Sequence, residues 1–396
     1  MKSTGLAIWV FLAVSGIGVG CFTVADTLYF HDKGYSTAVI GALVAVFNIA
    51  VAVAEIPAAI VFDRRSHWAA IQLGNAIRTV ALVIFFLSLG VVGDMTAEAL
   101  AGIGAAAMSG TSNAYVLNRL GRDPEQQRRA LARVAWLGSG ASLLGGLVGA
   151  ALFTVSPRYI WLGGAVCMAA AGAALLLGRR VGAEPSTVAG ETLGRYTRGL
   201  AVLAVHPRAW MSVFANAALV GPLILWQLRL GGGSLGPILV GFAVMKAAGV
   251  LGGRLIGGRR IPRGLLAVLV LGNALAMTVF ALSDTSAVVI ASFGAHVVAH
   301  VAISVYCSAQ FQQVVPDSRR AGASSLVSLL GSGLTALAAI AVGFLAATSA
   351  IAAMVPSIVL YGLVLALAAG SSLRARGQRA QAANGLGAEE PALLLD

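Results

Sequence analysis

Charge is scarce in this chain. Asp, Glu, Lys and Arg make up 11% of its 396 residues, where a water-soluble domain carries about 25%. Together with 58% hydrophobic residues and a mean hydropathy of +0.88, that scarcity excludes a soluble globule and leaves a protein housed in a lipid bilayer. Cysteine is nearly absent. Cys21, Cys167 and Cys307 all fall inside apolar runs, which argues against a disulfide framework and leaves no metal-ligand spacing. The Gly-x-x-x-x-Gly-Lys-Ser/Thr phosphate loop and the His-Glu-x-x-His zinc helix are both missing from the sequence. No nucleophile and base stand at usable spacing, so neither an enzyme nor a resident cofactor or metal is expected. The net charge is +12, but the arginines sit in short loops between apolar runs and form no continuous basic face, so nucleic acid is not the expected partner.

What the chain has instead is long apolar runs. About twelve are long enough to cross a hydrocarbon core of roughly 30 Å. Residues 6–29, 39–62, 68–92, 95–117, 134–153 and 160–177 form a first set, and 210–230, 235–256, 265–282, 287–311, 321–347 and 351–373 a second. The expected organisation is a six-helix bundle over 1–178, a polar cytoplasmic linker over 179–207, a second six-helix bundle over 208–373 and a disordered tail over 374–396. The first run is longer than a signal peptide core and has no Ala-x-Ala site, so it reads as a retained span. With the amino terminus in the cytoplasm, nearly all loop arginines fall inside, and only Lys33, Arg158 and Arg229 fall outside. Three lysines against 24 arginines fit a high-GC bacterial genome, so the expected home is the bacterial plasma membrane with both termini cytoplasmic.

The two sets repeat each other, a mark of many transporter folds. Asp63-Arg64-Arg65 after the second run is matched by Gly257-Gly258-Arg259 at an offset of 194, Arg128-Arg129-Ala130 by Arg319-Arg320-Ala321 at 191, and Trp136-Leu137-Gly138-Ser139-Gly140 by Leu329-Leu330-Gly331-Ser332-Gly333 at 193.

Twelve spans in two similar halves, with a charged turn after the second, resemble the major facilitator superfamily over nearly the whole chain. Its motif in that turn runs Gly, three residues, Asp, Arg, one residue, Gly, then basic residues. Here Ala59 replaces the first glycine, Asp63 and Arg64 match, Ser66 replaces the second glycine and His67 remains of the basic pair. The resemblance implies an all-α membrane protein of two pseudo-symmetric six-helix bundles, with Asp63 and Arg64 as gating residues; the plain alternative is a turn carrying positive-inside arginines. The glycines 138, 140, 145, 146 and 149 of span five are similar to an antiporter motif of the family but lack its Gly-Pro pair, and close helix packing explains them as well. Ser109 to Tyr115 resembles drug-efflux members, in which acids stand near the positions of Asn113 and Asn118. Glu98 stands where many members carry an arginine.

Ionisable groups inside the spans are the candidate site, because each costs about 2.5 to 3.5 kcal/mol near the bilayer centre unless it has a partner, water or a task. Asp26, Glu55, Arg78, Lys246, His296 and His300 qualify. Glu55 and Arg78 fall at similar depth and are candidates for a structural pair, with a substrate or proton role as the alternative. Asp26 fits either a water-exposed span end or a proton- or cation-binding acid. His296, His300, Ser304 and Cys307 form a polar stripe on span ten, open to three readings: cavity lining, proton relay and interhelical hydrogen bonding. Asn216 and Gln227 share a face of span seven, with a kink expected at Gly221-Pro222.

The sequence thus predicts a monomeric secondary transporter that moves a small-molecule substrate across the bilayer, with protons as the coupling ion. Export of a partly apolar drug or metabolite comes first, uptake or exchange of a small organic anion second, and a non-transporting sensor third.

Overall fold

Apolar runs of this length have one stable solution in lipid, where the backbone has no water to bond and must satisfy itself within each segment. The computed structural model describes residues 3–62, 67–109, 115–116, 124–177, 202–231, 235–256, 263–315 and 320–383, and among the described residues there is helix and no strand. Among the described residues, twelve helical segments are long and apolar enough to span a membrane: Leu6–Asp32, Thr37–Glu55, His67–Leu87, Gly90–Met108, Ala132–Val155, Tyr159–Leu177, Pro207–Leu230, Leu235–Ile256, Gly264–Leu282, Ser286–Gln312, Ala323–Ala346 and Ala350–Gly370. We call them spans one to twelve. Because this number is even, the start of span one and the end of span twelve lie on one side, here the terminal side; the opposite face is the far side. The spans form two pseudo-symmetric six-helix bundles.

Spans one and seven are each broken. Span one is a helix Ser3–Thr23 followed by a helix Asp26–Asp32, and span seven a helix Pro207–Ala217 followed by Val220–Leu230. The breaks at Val24 and Ala218 lie 194 residues apart, the same offset that relates the charged turns, so the duplication extends to a structural irregularity. The span-seven break comes just before Gly221-Pro222 rather than at it. Pro222 therefore sits in the first turn of the second segment, where a missing N–H removes no helical bond. His206 caps the first segment, its Nδ1 accepting from the Arg208 N–H at 3.1 Å, with Pro207 at the first helical position.

Within lipid, helices associate by close packing rather than hydrophobic exclusion. Part of the span-five glycine set serves that purpose. Added side chains at Gly145 and Gly149 would collide with the backbone of Ile17 and Cys21 on span one, and one at Gly146 would meet the Phe242 ring of span eight, whereas side chains at Gly138 and Gly140 would meet nothing within 4 Å. Aromatic clusters hold each bundle together. Trp161 stacks on Phe85 at 4.3 Å and meets Phe22, Tyr29 and Phe30, while Trp226 stacks on Phe293 at 5.5 Å and Phe293 meets Phe280. Such pairs contribute about 0.5 to 1.5 kcal/mol each beyond their burial.

The bundles meet on the far side through spans two and eleven. The Thr37 hydroxyl donates to the Gly343 carbonyl at 2.9 Å, and a Cβ on Gly41 would come within 2.9 Å of the Gly343 Cα. The span-twelve helix continues to Ala383, so the first ten residues of the expected tail are helical. Their Arg, Ala and Gln content favours helix, which explains the difference.

A broken helix and its partner at the bundle seam

The break in span one frees backbone groups, and a side chain from the other bundle takes them up. Gln227, on the second segment of span seven, accepts from the Leu28 N–H at 3.0 Å through Oε1 and donates through Nε2 to the Thr23 carbonyl at 3.1 Å and to Asp26 Oδ1 at 2.7 Å. Asp26 Oδ1 also accepts from the Thr27 N–H at 2.7 Å. Gln227 is buried and Asp26 half-buried. The carboxamide therefore joins both flanks of the break and the acid beside it, across the seam between bundles.

Two further acids stand nearby on span four, one turn apart. Asp94 is fully buried and pairs with Lys33 at 2.6 Å, while the Tyr35 hydroxyl donates to the same oxygen at 2.7 Å. Lys33 also lies 5.3 Å from the Tyr29 ring centre and 5.1 Å from that of Tyr35. Burial opposes the Lys33 charge most, but the hydrogen bond to Asp94, the charge of Asp94 and the nearby Tyr29 and Tyr35 together outweigh it and hold the ammonium above its ordinary value. Glu98 interacts electrostatically with both Asp26 and Asp94, and no hydrogen bond or ion pair reaches it among the described residues. Sequence reasoning noted Glu98 only as a departure from the family pattern and missed Asp94 altogether, because it drew span four from residue 95. The available signal was the spacing of two acids four apart in an apolar run.

The other candidates separate. Lys246, half-buried at mid-span eight, lies 4.9 Å from the Phe242 ring centre and interacts electrostatically with Asp26. Asn216 is exposed on span seven beside Gly331. Glu55 is buried and faces the hydroxyls of Ser109 and Ser328; Arg78 lies along Gly104 of span four. The pair considered from depth alone does not form among the described residues: Glu55 is engaged by the two serines, and Arg78 lies against Gly104.

Of the three readings of the histidine stripe, the hydrogen-bond partners fit the interhelical one. His296 and His300 are buried inside the carboxy-terminal bundle, His296 Nδ1 at 2.8 Å from Asn273 Oδ1 of span nine and His300 Nδ1 at 2.7 Å from the Tyr361 hydroxyl of span twelve. Their partners place them in interhelical hydrogen bonds within one bundle, away from the seam. The helical spacing was right; it does not say which neighbour the face meets. Asp63, Arg64 and Asn113 lie outside the described residues, as do 179–201 of the expected linker.

A slot of about 560 Å³ opens between spans five and eight on the terminal-side half of the seam, lined in part by Trp136, Ser139, Met245, Lys246, Val250 and Arg254. Contact between Gly146 and Phe242 closes it toward the far side, and the Arg254 guanidinium, 5.1 Å from the Trp136 ring centre, stands beside its other end. Among the described residues, no group of three or more His, Cys, Asp or Glu side chains could hold a metal.

The sequence matches the model of the Major Facilitator Superfamily over residues 8–339. No curated protein matches it in sequence. Among solved structures, the nucleoside transporter NupG (D323A mutant) is similar at a TM-score of 0.75 and 14% identity, over 93% of this chain and 98% of that one. The D-xylose-proton symporter is similar at 0.69 and 13%, over 93% and 97%. A bacterial homologue of the human lysosomal transporter Spinster, inward-facing and occupied, is similar at 0.65 and 15%, over 94% and 96%.

Proposed function

The chain belongs to the major facilitator superfamily and is a membrane transporter rather than an enzyme; from that premise we propose that it exports a small, partly apolar solute in exchange for protons, with Asp26 as the coupling acid. The observation that carries the reading is the Asp26–Gln227 hydrogen bond across the bundle seam at 2.7 Å. Two N–H donors converge on one carboxylate oxygen, an arrangement strongest while the acid is charged. A proton arriving on Asp26 weakens it, loosens the far-side contact between bundles and favours the state open to the far side. Closure of the far side re-forms the contact, which favours the charged acid and so discharges the proton to the terminal side. Rocking of two bundles around a midplane site then couples proton entry to solute exit. In this reading the terminal side is cytoplasmic, because it carries the arginine-rich loops. Asn216 and Glu98 line the cavity, and Asp63 and Arg64 gate it.

The solutes named for similar folds, nucleosides and D-xylose, belong to those proteins; here the choice falls to the side chains at the seam. Few fixed charges and many Ala, Val and Leu favour a partly apolar cargo. A second reading, uptake or exchange of a small organic anion, is favoured by Lys246, which meets no acid within ion-pair distance among the described residues.

The test is dye efflux from energised cells, with and without a protonophore, comparing wild type with Asp26→Asn at equal membrane levels. Protonophore-sensitive efflux that collapses in the variant supports the proposal. Efflux that survives both treatments contradicts it, and loss of organic-anion transport alone in Lys246→Ala moves the assignment to the second reading.

A further inference from the structure

We infer that the slot between spans five and eight is a binding site for an amphiphilic organic anion, with its acid group at Lys246 and its apolar body against Met245, Val250 and Trp136. Lys246 is the twelfth of the 22 residues of its helix, about 15 Å from either end at 1.5 Å per residue. Its side chain is too short to carry the charge to a membrane surface, so the ammonium needs a counter-charge in place. Asp26 does not supply it at bonding distance, being engaged by Gln227 and Thr27. The ammonium instead stands over an aromatic face.

Arg254 lies eight residues further along the same helix, about 12 Å nearer the terminal side. It too has an aromatic ring and no carboxylate as its partner among the described residues. The described slot therefore presents two cations, no acid in its lining, the Ser139 hydroxyl and an otherwise apolar wall of Ala, Gly, Met, Val and Trp around about 560 Å³, a volume suited to a small organic ligand. Trp136 is 57% exposed, and side chains added at Gly249 or Gly253 would meet nothing within 4 Å, so the mouth is open. Arg254 draws an anion to the mouth, and Lys246 holds it inside. The same chemistry serves a free amphiphilic acid or the head of an anionic phospholipid.

Binding is independent of the proton-coupled reading and is measured with no gradient present. The probe is dibrominated stearate, whose bromines quench tryptophan, added to the full chain in phosphatidylcholine nanodiscs. Saturable quenching by the acid but not by its methyl ester is expected. Removing a charge-assisted contact in Lys246→Gln should weaken binding about tenfold or more. Gly249→Leu, which fills the slot while keeping both cations, should weaken it comparably, and Arg254→Gln at the exposed mouth should weaken it less. The two latter variants carry the test if Lys246→Gln does not fold. Equal quenching by the ester, or unchanged affinity in folded Lys246→Gln and Gly249→Leu, overturns the assignment. Phosphatidylglycerol in the disc separates the sources: competition with the probe assigns the slot to a bilayer lipid, and its absence to a free acid.

Discussion

Gln227 and His296 are both buried polar side chains of the carboxy-terminal bundle, yet they work on different surfaces. Gln227 reaches across the seam to the broken helix of the other bundle. His296 reaches Asn273 of its own bundle. A bond that crosses a moving seam biases which state the protein occupies, whereas a bond inside a rigid bundle contributes to both states equally and cannot couple anything. The position of the partner, more than the residue type, separates a switching role from a stabilising one.

Four substitutions sharpen or break that contrast. The largest effect is expected for Asp26→Asn. It keeps an acceptor for Gln227 but has no proton to exchange, so gradient-driven accumulation in proteoliposomes should fall to about the equilibrium ratio of one. Gln227→Leu strips the Leu28 N–H, the Thr23 carbonyl and Asp26 of their shared partner, a cost of about 1 to 3 kcal/mol for each group left unsatisfied. Because that cost falls on the far-side-closed state, spin labels at the exposed Ser36 and Thr348 should move apart; an unchanged distance would show that the contact holds nothing. Tyr361→Phe removes the hydroxyl beside His300 Nδ1 and should lower thermal stability by about 1 to 3 kcal/mol while leaving the coupling ratio unchanged. A coupling defect there would erase the distinction drawn above.

The smallest effect concerns the cap of span seven. Burial, and then the Arg208 charge, hold the His206 imidazole below its ordinary value of 6.5. Its neutral form therefore stabilises the fold fully above that value, and the contribution is lost as pH falls through the lower folded-state value. His206→Asn keeps a capping acceptor and should flatten thermal stability across the acid range, with the cap itself contributing about 0.5 to 2 kcal/mol. Acid sensitivity identical to wild type would assign it elsewhere.

The twelve spans and their duplication were legible because length and hydropathy decide whether a segment can cross lipid, and both are properties of the linear chain. Asp26 and Gln227 were legible as candidates for a related reason: polar groups are rare in such segments. Their contact was not, since 201 residues separate them and only the break in span one gives Gln227 groups to bind. No Gly or Pro occurs between Thr23 and Asp26, so that break leaves little local trace; in span seven the nearby Gly221-Pro222 did mark it to within a few residues. The histidines show the converse. Their stripe was plain in the sequence, but the helices it faces are set by tertiary packing.

The most direct measurement is the Ser36–Thr348 spin-label distance as a function of pH, in wild type and in Asp26→Asn. If the seam contact is the proton-sensitive element, acidification shifts wild type toward longer far-side distances and leaves the variant unmoved. A pH-driven shift of the same size in Asp26→Asn would contradict the account and place the coupling proton on another group.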